Sequence, residues 1–534
     1  PVHVVGNPTA EMPPGFVIRP FQTAVAISKS ALTLARAGCG SGKSLAAYLW
    51  ARSWAEQRRT DGDESFRLFF CLPTTGTATE HFSDYALESG IPARLAHSRS
   101  SVDLDTIANT AAQEEAFGER ERVAMDAAKA ERDKIEAIAL WSTPLVVSTV
   151  DTVLGLLANA RRPICALPAI LQAGIVFDEI HAFDDRLFGH LLVFLRNFPG
   201  VPVLLMTASL PQARLDDLRA ARADLAVIDG PPDLEELGRY ELRTGTIDGV
   251  WPLVTETLRR GEKVLWVRNT VDRANSVYAQ AKGRCSDVSV DLYHSRFRYE
   301  DRSKRHRRVI DRFQDPTRGS LLVATQVAEM SLDISADLLV TDEAPIPALI
   351  QRMGRLNRRA TPDHPSPPKP AIVCALPDSE HARLPYEQTD LDDSRRWVNA
   401  LTELGRALSQ KDLSEEFGRQ SHGGAVDLAQ ANEAAEFFGV PGKTGLWRTV
   451  PGTTRADGTT LSVLLERDVE AHARAHGSRD PNADWVRRHE VSIPFRPAML
   501  AWKRVRGIRI APSPDLLYDF DEQTAEGTGA RWAS

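Results

Sequence analysis

Arg36 to Ser44 reads RAGCGSGKS, an order of glycines, lysine and hydroxyl that suits a bound polyphosphate. Gly38, Gly40 and Gly42 let backbone N–H groups turn toward phosphate oxygens. Lys43 can reach the β- and γ-phosphates and is expected to touch only phosphate and solvent, and Ser44 can ligate Mg²⁺ at the start of the following helix. Ala37 stands where the generic pattern has its first glycine. Ile175 to His181 (IVFDEIH) is an apolar run ending in acids. There Asp178 would hold Mg²⁺ through water and Glu179 would polarise an attacking water; an ordinary pair of acids at a strand end is the competing reading. About twenty residues before Lys43, Phe21 offers a ring to stack on adenine, and the Gln22 amide can donate to and accept from the adenine edge. In Gln351 to Arg358 (QRMGRLNR), Arg355 and Arg358 are three residues apart, so on a helix they share a face. Planar guanidinium groups suit the spread charge of a phosphoryl transition state, which makes both candidate arginine fingers.

These residues need strands that end together. The first half supplies short apolar runs separated by helical stretches: RLFFCL from Arg67, LVVS from Leu145, GIVF from Gly174 and VLLM from Val203. Such runs read as buried parallel strands of a doubly wound sheet. After DGPPDLEEL (Asp229 to Leu237) the alternation resumes with KVLWV at Lys263, SLLVA at Ser320 and LLVT at Leu338. A proline-rich stretch, Thr361 to Pro370, reads as a loop or linker, and beyond Pro377 the alternation stops. The expected domains are 1–237, 238–376 and 377–534. Gln113 to Leu140 is a dense mix of charges with Ala and Ile and reads as a solvated surface helix or insertion.

The 534 residues carry a net charge of −7 and are 43% hydrophobic, which fits a soluble globular protein and excludes none of its functions. No run approaches the ~20 apolar residues that cross a bilayer, so no membrane association is expected. Pro1 to Pro20 has no basic head followed by an apolar core, so no secretion signal is expected from these residues. Five cysteines stand singly, pointing to a reducing cytoplasm and away from a cysteine-based metal site.

Taken in chain order, the motifs resemble those of superfamily 2 helicases. They are Phe21–Gln22, the phosphate loop, Pro73–Thr74–Thr75, Ser148–Asp151 (STVD), DEIH, Thr207–Ala208–Ser209, Arg268–Asn269–Thr270, VATQVAEMSLDI (Val323 to Ile334) and QRMGRLNR. The resemblance implies an α/β fold of two tandem RecA-like doubly wound parallel-sheet domains plus a smaller C-terminal accessory domain, with ATP and Mg²⁺ as cofactors. It implies coupling roles for His181, Thr207, Ser209 and Gln351, and contact of Asp333 with the ribose. One nucleic-acid strand would be held by Thr74, Thr75, Thr149, Asn269, Thr270 and Thr325, groups that bond phosphates without reading bases. His294 to Phe313 has eight Lys or Arg against three acids. Its start resembles a further nucleic-acid motif, and the rest reads as a solvated helix face. Trp502 to Arg509 (WKRVRGIR) is a second basic patch.

Further details, LPTTGTAT, LAHSRS, FDEIHAFDD and the run Asp342 to Arg358, resemble the helicase-nuclease of type I CRISPR interference. That family implies ATP-driven 3′-to-5′ movement on single-stranded DNA after recruitment to an R-loop held by a Cascade complex with its guide RNA. The family's nuclease is an HD domain, and no His-Asp dipeptide occurs here. The nuclease is therefore expected on a separate polypeptide or a missing part of the native chain, or to be absent. Asp468, His472 and His476 have a spacing that could hold a metal on one helix face, but read as a solvated face. A DEAH-type RNA helicase, a DNA-repair translocase and a silent adaptor remain the alternatives.

Overall fold

A computed structural model describes residues 17–38, 40–74, 77–78, 81, 93–96, 140–158, 160–330, 332–377, 379, 383–420, 426, 460–506, 508–521, 523–524 and 526–533. Thr75, Cys39 and most of 113–140 lie outside them. The chain divides into two compact units, 1–235 with 421–457, and 236–420 with 458–534.

The first unit is built on seven parallel strands: β1 (Leu32–Arg36), β2 (Arg67–Leu72), β3 (Ala93–Ala96), β4 (Leu145–Thr149), β5 (Ala173–Phe177), β6 (Val203–Thr207) and β7 (Leu225–Asp229), in the order β3-β4-β2-β5-β6-β1-β7. The strands expected from the apolar runs are all present. The inner ones are buried at nearly every position because helices cover both faces, so their sequences run apolar rather than alternate. Helix Asp185–Asn197 buries Leu187 to Leu195 against one face; Asp184 caps its N-terminus by accepting from the Leu187 N–H at 2.8 Å. Helix Lys43–Thr60 covers the other through Ala46, Ala47, Trp50 and Ala51.

The second unit repeats the plan with six parallel strands: β8 (Tyr240–Gly245), β9 (Lys263–Val267), β10 (Ser289–Tyr293), β11 (Ser320–Ala324), β12 (Leu338–Asp342) and β13 (Lys369–Cys374), ordered β10-β11-β9-β12-β13-β8. The C-terminal stretch adds a four-stranded mixed sheet, from β14 (Thr460–Leu465), β15 (Val491–Pro494), β16 (Arg504–Val505) and β17 (Ile508–Ala511), and a hairpin of β18 (Leu516–Asp521) with β19 (Glu526–Trp532). In this C-terminal region, Val463, Ile493, Leu516, Tyr518 and Ala530 share one core with Trp251, Trp266, Leu292 and Val323 of the second unit.

The basic run His294 to Phe313 explains the attachment. Helix Tyr299–Gln314 is not merely a solvated face: Arg305 is 1% exposed, lies over the Phe297 ring at 4.1 Å, and donates to the carbonyls of Leu292 and, at 2.8 Å, Gly527. Arg298 donates to Asp301 at 2.7 Å and to Asp468 at 3.5 Å, while its N–H donates to the Tyr518 hydroxyl, which in turn donates to Asp301. Arg308 and Arg312 both pair with Asp291 at 2.7 Å. Charges that look available for nucleic acid in the sequence therefore dock the C-terminal hairpin and sheet. Asp468 is buried and spent on Arg298, which corrects its reading as part of a solvated face. His472 and His476 stack on each other at 4.4 Å, His472 half-buried beside Trp485 and His476 exposed. Among the described residues no group of three or more His, Cys, Asp or Glu is placed to hold a metal ion. In the second basic patch Trp502 is buried and donates to Asp515 at 3.1 Å, and Arg509 donates to the Met499 carbonyl at 2.8 Å.

Asp301 is wholly buried between Arg298 and Tyr518, so removing its carboxylate strands a buried guanidinium. Asp301→Ala should lower the unfolding free energy of the second unit by about 3–5 kcal/mol, and Tyr518→Phe by only about 1–2 kcal/mol. Urea titration of both variants checks the order.

Candidate active site

In the first sheet β5, β6 and β1 are neighbours, and each ends in one of the candidate motifs. Main-chain bonds continue past the strands and fix those ends: the Ala37 N–H donates to the Thr207 carbonyl at 2.9 Å, and the Asp178 N–H to the Cys71 carbonyl at 2.9 Å.

The loop after β1 turns through Gly40 (φ 81°) and Gly42 (φ 86°), left-handed positions that favour glycine, and enters helix Lys43–Thr60 with Gly42 as N-cap. Lys43 was expected to meet only phosphate and solvent. It is 9% exposed and folds back on its own loop, Nζ donating to the carbonyls of Ala37 at 2.7 Å and Gly38 at 3.2 Å. Ser44, at the second position of the helix, is partly exposed.

Gln22 meets the loop from behind. Its Nε2 donates to the Gly42 carbonyl at 3.2 Å while its Oε1 accepts from the Arg19 N–H at 2.9 Å, and any Cβ at position 42 would collide with that amide. Phe21 is 4% exposed and packs in the core with Val25, Ala46 and Trp50, so the ring expected to stack on adenine has no open face here. Arg19, not anticipated from the sequence, donates to the Gly40 carbonyl at 3.1 Å and the Ser41 carbonyl at 3.0 Å. Its position one residue before Pro20–Phe21–Gln22 was the available signal.

After β5, Asp178 Oδ1 accepts the Glu179 N–H at 2.9 Å, and Glu179 takes the left-handed conformation (φ 53°), a strained placement for a side chain with a Cβ. His181 Nδ1 lies 3.1 Å from Thr207 Oγ1 and 3.3 Å from Glu179 Oε2; Thr207 Oγ1 donates to the Ser209 carbonyl at 2.6 Å and accepts its N–H. One polar chain thus joins the ends of β5 and β6. Burial and the adjacent Glu179 push the Asp178 carboxyl up to about 7, against the pull of Lys43. Two adjacent carboxylates suit a hard divalent cation with oxygen ligands, and the Asp178 carboxylate and the Ser44 hydroxyl are each donors of the type Mg²⁺ takes.

In the second unit the helix carrying QRMGRLNR, Ile346–Met353, ends before the two candidate fingers, so Arg355 and Arg358 do not share a helix face as expected. Asn357 at φ 50° turns the chain between them. Arg355 donates to the Glu329 carbonyl at 2.7 Å; Arg358 pairs with Asp333 at 3.2 Å. Gln351 is buried within the helix. Arg352, unremarked in the sequence, is 1% exposed and pairs with Glu329 at 2.8 Å, with further bonds to Asn269 and Thr341. Asn269 also donates to the Glu343 carbonyl at 2.7 Å and is 2% exposed, its amide committed to the fold. Thr149 is buried as the last residue of β4 and Thr325 just past β11, Thr74 bonds Thr77 at 3.0 Å, and Thr270 caps helix Val271–Arg284.

Two family models match the chain, DEAD/DEAH box helicase over residues 19–218 and CRISPR-associated nuclease/helicase Cas3, C-terminal, over 260–361. Two parallel-sheet units with these motifs resemble a superfamily 2 helicase of the DEAD/DEAH type. A Myxococcus xanthus protein carrying the name CRISPR-associated nuclease/helicase Cas3 is 42% identical over 529 residues, which are 97% of this chain and 64% of that relative. The CRISPR-associated endonuclease/helicase Cas3 of Escherichia coli is 26% identical over 396 residues, 65% of this chain and 43% of its own. The crystal structure of T. fusca Cas3 with AMPPNP shares the fold at a TM-score of 0.67 and 19% identity, covering 97% of this chain and 70% of that one. Along nearly its whole length the chain is thus similar to Cas3 proteins. It spans 64% and 53% of the length of two curated relatives, from Myxococcus xanthus and Methanocaldococcus jannaschii.

With its folded-state value near 7, Asp178 holds a proton more tightly folded than unfolded. Its ionisation therefore costs stability progressively from about pH 4 to about pH 7, and the cost persists above that. Without metal or nucleotide, Asp178→Asn should melt above the native protein at pH 8 and by a much smaller margin near pH 5. Equal differences at the two pH values in thermal melts would contradict the assignment.

Proposed function

We propose that the chain is an ATP-driven translocase on single-stranded DNA, working in type I CRISPR interference on an R-loop held by Cascade and its guide RNA. The observation that supports this most is the junction of β1, β5 and β6, where Lys43, the Asp178–Glu179 pair and the His181–Thr207 link stand on adjacent strand ends. In this reading Gly38, Gly40 and Gly42 cradle the phosphates and Lys43 moves from the loop carbonyls onto them. Asp178 and Ser44 hold Mg²⁺, which would neutralise phosphate charge. Glu179 orients the attacking water, His181, Thr207, Ser209 and Gln351 pass on the nucleotide state, and Arg355 and Arg358 offset developing negative charge. Asp333 takes the ribose, and Thr74, Thr149, Thr270 and Thr325 take the DNA backbone. The DNA substrate and the Cascade partner come from the kinship with Cas3 proteins. ATP turnover stimulated by single-stranded DNA over RNA tests the reading; stimulation by RNA alone would move it to an RNA helicase.

Lys43→Ala should abolish turnover. Glu179→Gln should still bind ATP yet turn over at least ~10²-fold more slowly, as expected on losing the group that positions the water. Arg358→Ala should lower turnover sharply with a much smaller effect on nucleotide affinity, because an arginine finger acts on transition-state charge. Steady-state kinetics beside equilibrium nucleotide binding separates these outcomes. With no His-Asp dipeptide in the sequence, this chain should leave single-stranded DNA uncut even with Mn²⁺ or Ni²⁺. Metal-dependent degradation that co-purifies with the chain would overturn that.

A further inference from the structure

The peptide joining Ala37 to Gly38 is held from both sides. Its carbonyl accepts from Lys43 Nζ at 2.7 Å, and its N–H donates to Glu235 Oε1 at 2.7 Å. Glu235 lies about two hundred residues further along the chain, at the end of the one-turn helix Pro232–Glu235. That turn is anchored beside the loop. The Gly230 N–H donates to the Arg36 carbonyl at 2.8 Å, and the N–H groups of Leu234 and Glu235 both donate to the Pro231 carbonyl at 3.0 Å. No side chain fits at position 230, where a Cβ would stand 2.7 Å from Glu235 Oε1 and 2.8 Å from the Ala37 Cβ. The carboxylate is therefore pressed against the entrance of the phosphate loop by main-chain bonds on its own segment.

We propose that Glu235 is a positioning residue for the phosphate loop, holding the Ala37–Gly38 peptide plane in place through its bond to the Gly38 N–H. The proposal rests on the reading that this loop binds ATP. While Lys43 is folded back, lysine and glutamate share the task, and each bond polarises the peptide so as to strengthen the other. When Lys43 turns toward phosphates it releases the Ala37 carbonyl, and Glu235 alone of the two continues to fix the plane. A bond of this length resists rotation of the peptide and needs only an acceptor oxygen held at that place. A loop already in its binding geometry loses less freedom on taking up nucleotide, so the effect belongs on affinity. Glu235 does not reach the reacting atoms in this account, and the rate of the bound complex should be indifferent to it.

The test measures the Kd of a fluorescent ATP analogue and steady-state turnover for the full chain and for Glu235→Ala, Glu235→Gln and Glu235→Asp. Gln keeps an acceptor oxygen at the same reach; Asp draws it back by one methylene. Expected are a five- to tenfold or greater rise in Kd and KM for the Ala and Asp variants, kcat within about twofold of native, and recovery of Kd to within about twofold for Gln. Unfolding temperatures should stay together, and the Asp and Gln pair keeps the comparison if the Ala variant does not fold. Native-like Kd in the Asp and Ala variants overturns the proposal, as does a loss in Gln as large as that in Ala. Should the native chain itself fail to bind the analogue, the ATP reading falls first, and the two failures are told apart.

Discussion

The site depends on parallel strands ending side by side. In an open parallel sheet every carboxyl end lies at one edge, and β5, β6 and β1 are consecutive there. That adjacency places a lysine from one loop, two carboxylates from the next and a threonine from the third in one polar patch, although 164 residues of sequence separate Lys43 from Thr207. The charges set one another: Asp178 is raised first by its burial and then by the adjoining Glu179, and Lys43 only partly offsets this. The neighbouring main chain is bent to suit, with Glu179 held left-handed so that its carboxylate meets His181.

The second unit uses the same sheet plan but spends its charges differently. Arg352, Asp342, Arg268 and Asn269 form a buried network beneath β9 and β12, with Arg268 within 3.0 Å of Asp342 and Arg352 reaching Thr341 at 2.7 Å. Buried ionic groups are costly unless they satisfy each other, and these do so across three segments that lie apart in the sequence. The conformation of the loop that presents Arg355 and Arg358 is thereby tied to the body of the unit. Helix Ile346–Met353 is pinned through Arg352, and the turn after it follows from there.

Much of this was legible from residue types. Apolar runs of four to six residues mark buried parallel strands, and glycine spacing marks the phosphate loop, because both patterns answer to local geometry. The illegible parts were those settled by distant partners. Phe21 and Gln22 read alike as adenine contacts, yet one fills the core and the other braces Gly42, and only the packing of helix Pro20–Ala26 against Lys43–Thr60 distinguishes them. Arg298 and Arg305 looked like solvated or nucleic-acid-facing charge, since nothing near them in sequence reveals Tyr518, Gly527 or Asp468 as partners. The C-terminal stretch showed no alternation because its short strands make a mixed sheet fastened to an existing core. The helical reading of QRMGRLNR failed at Gly354, where the helix stops.

The attachment of that C-terminal stretch bears on the order of assembly during synthesis. Arg298 donates its N–H to a hydroxyl 220 positions downstream, and Arg305 binds a carbonyl 222 positions away. As the chain emerges from the ribosome, the first sheet has all its strands available early. The second must wait with Trp251, Trp266 and a line of arginines on hand until Leu516 to Ala530 arrive to cover them. Nascent chains stalled before that point expose a surface both greasy and cationic, a pairing that invites chaperones and premature association with nucleic acid alike.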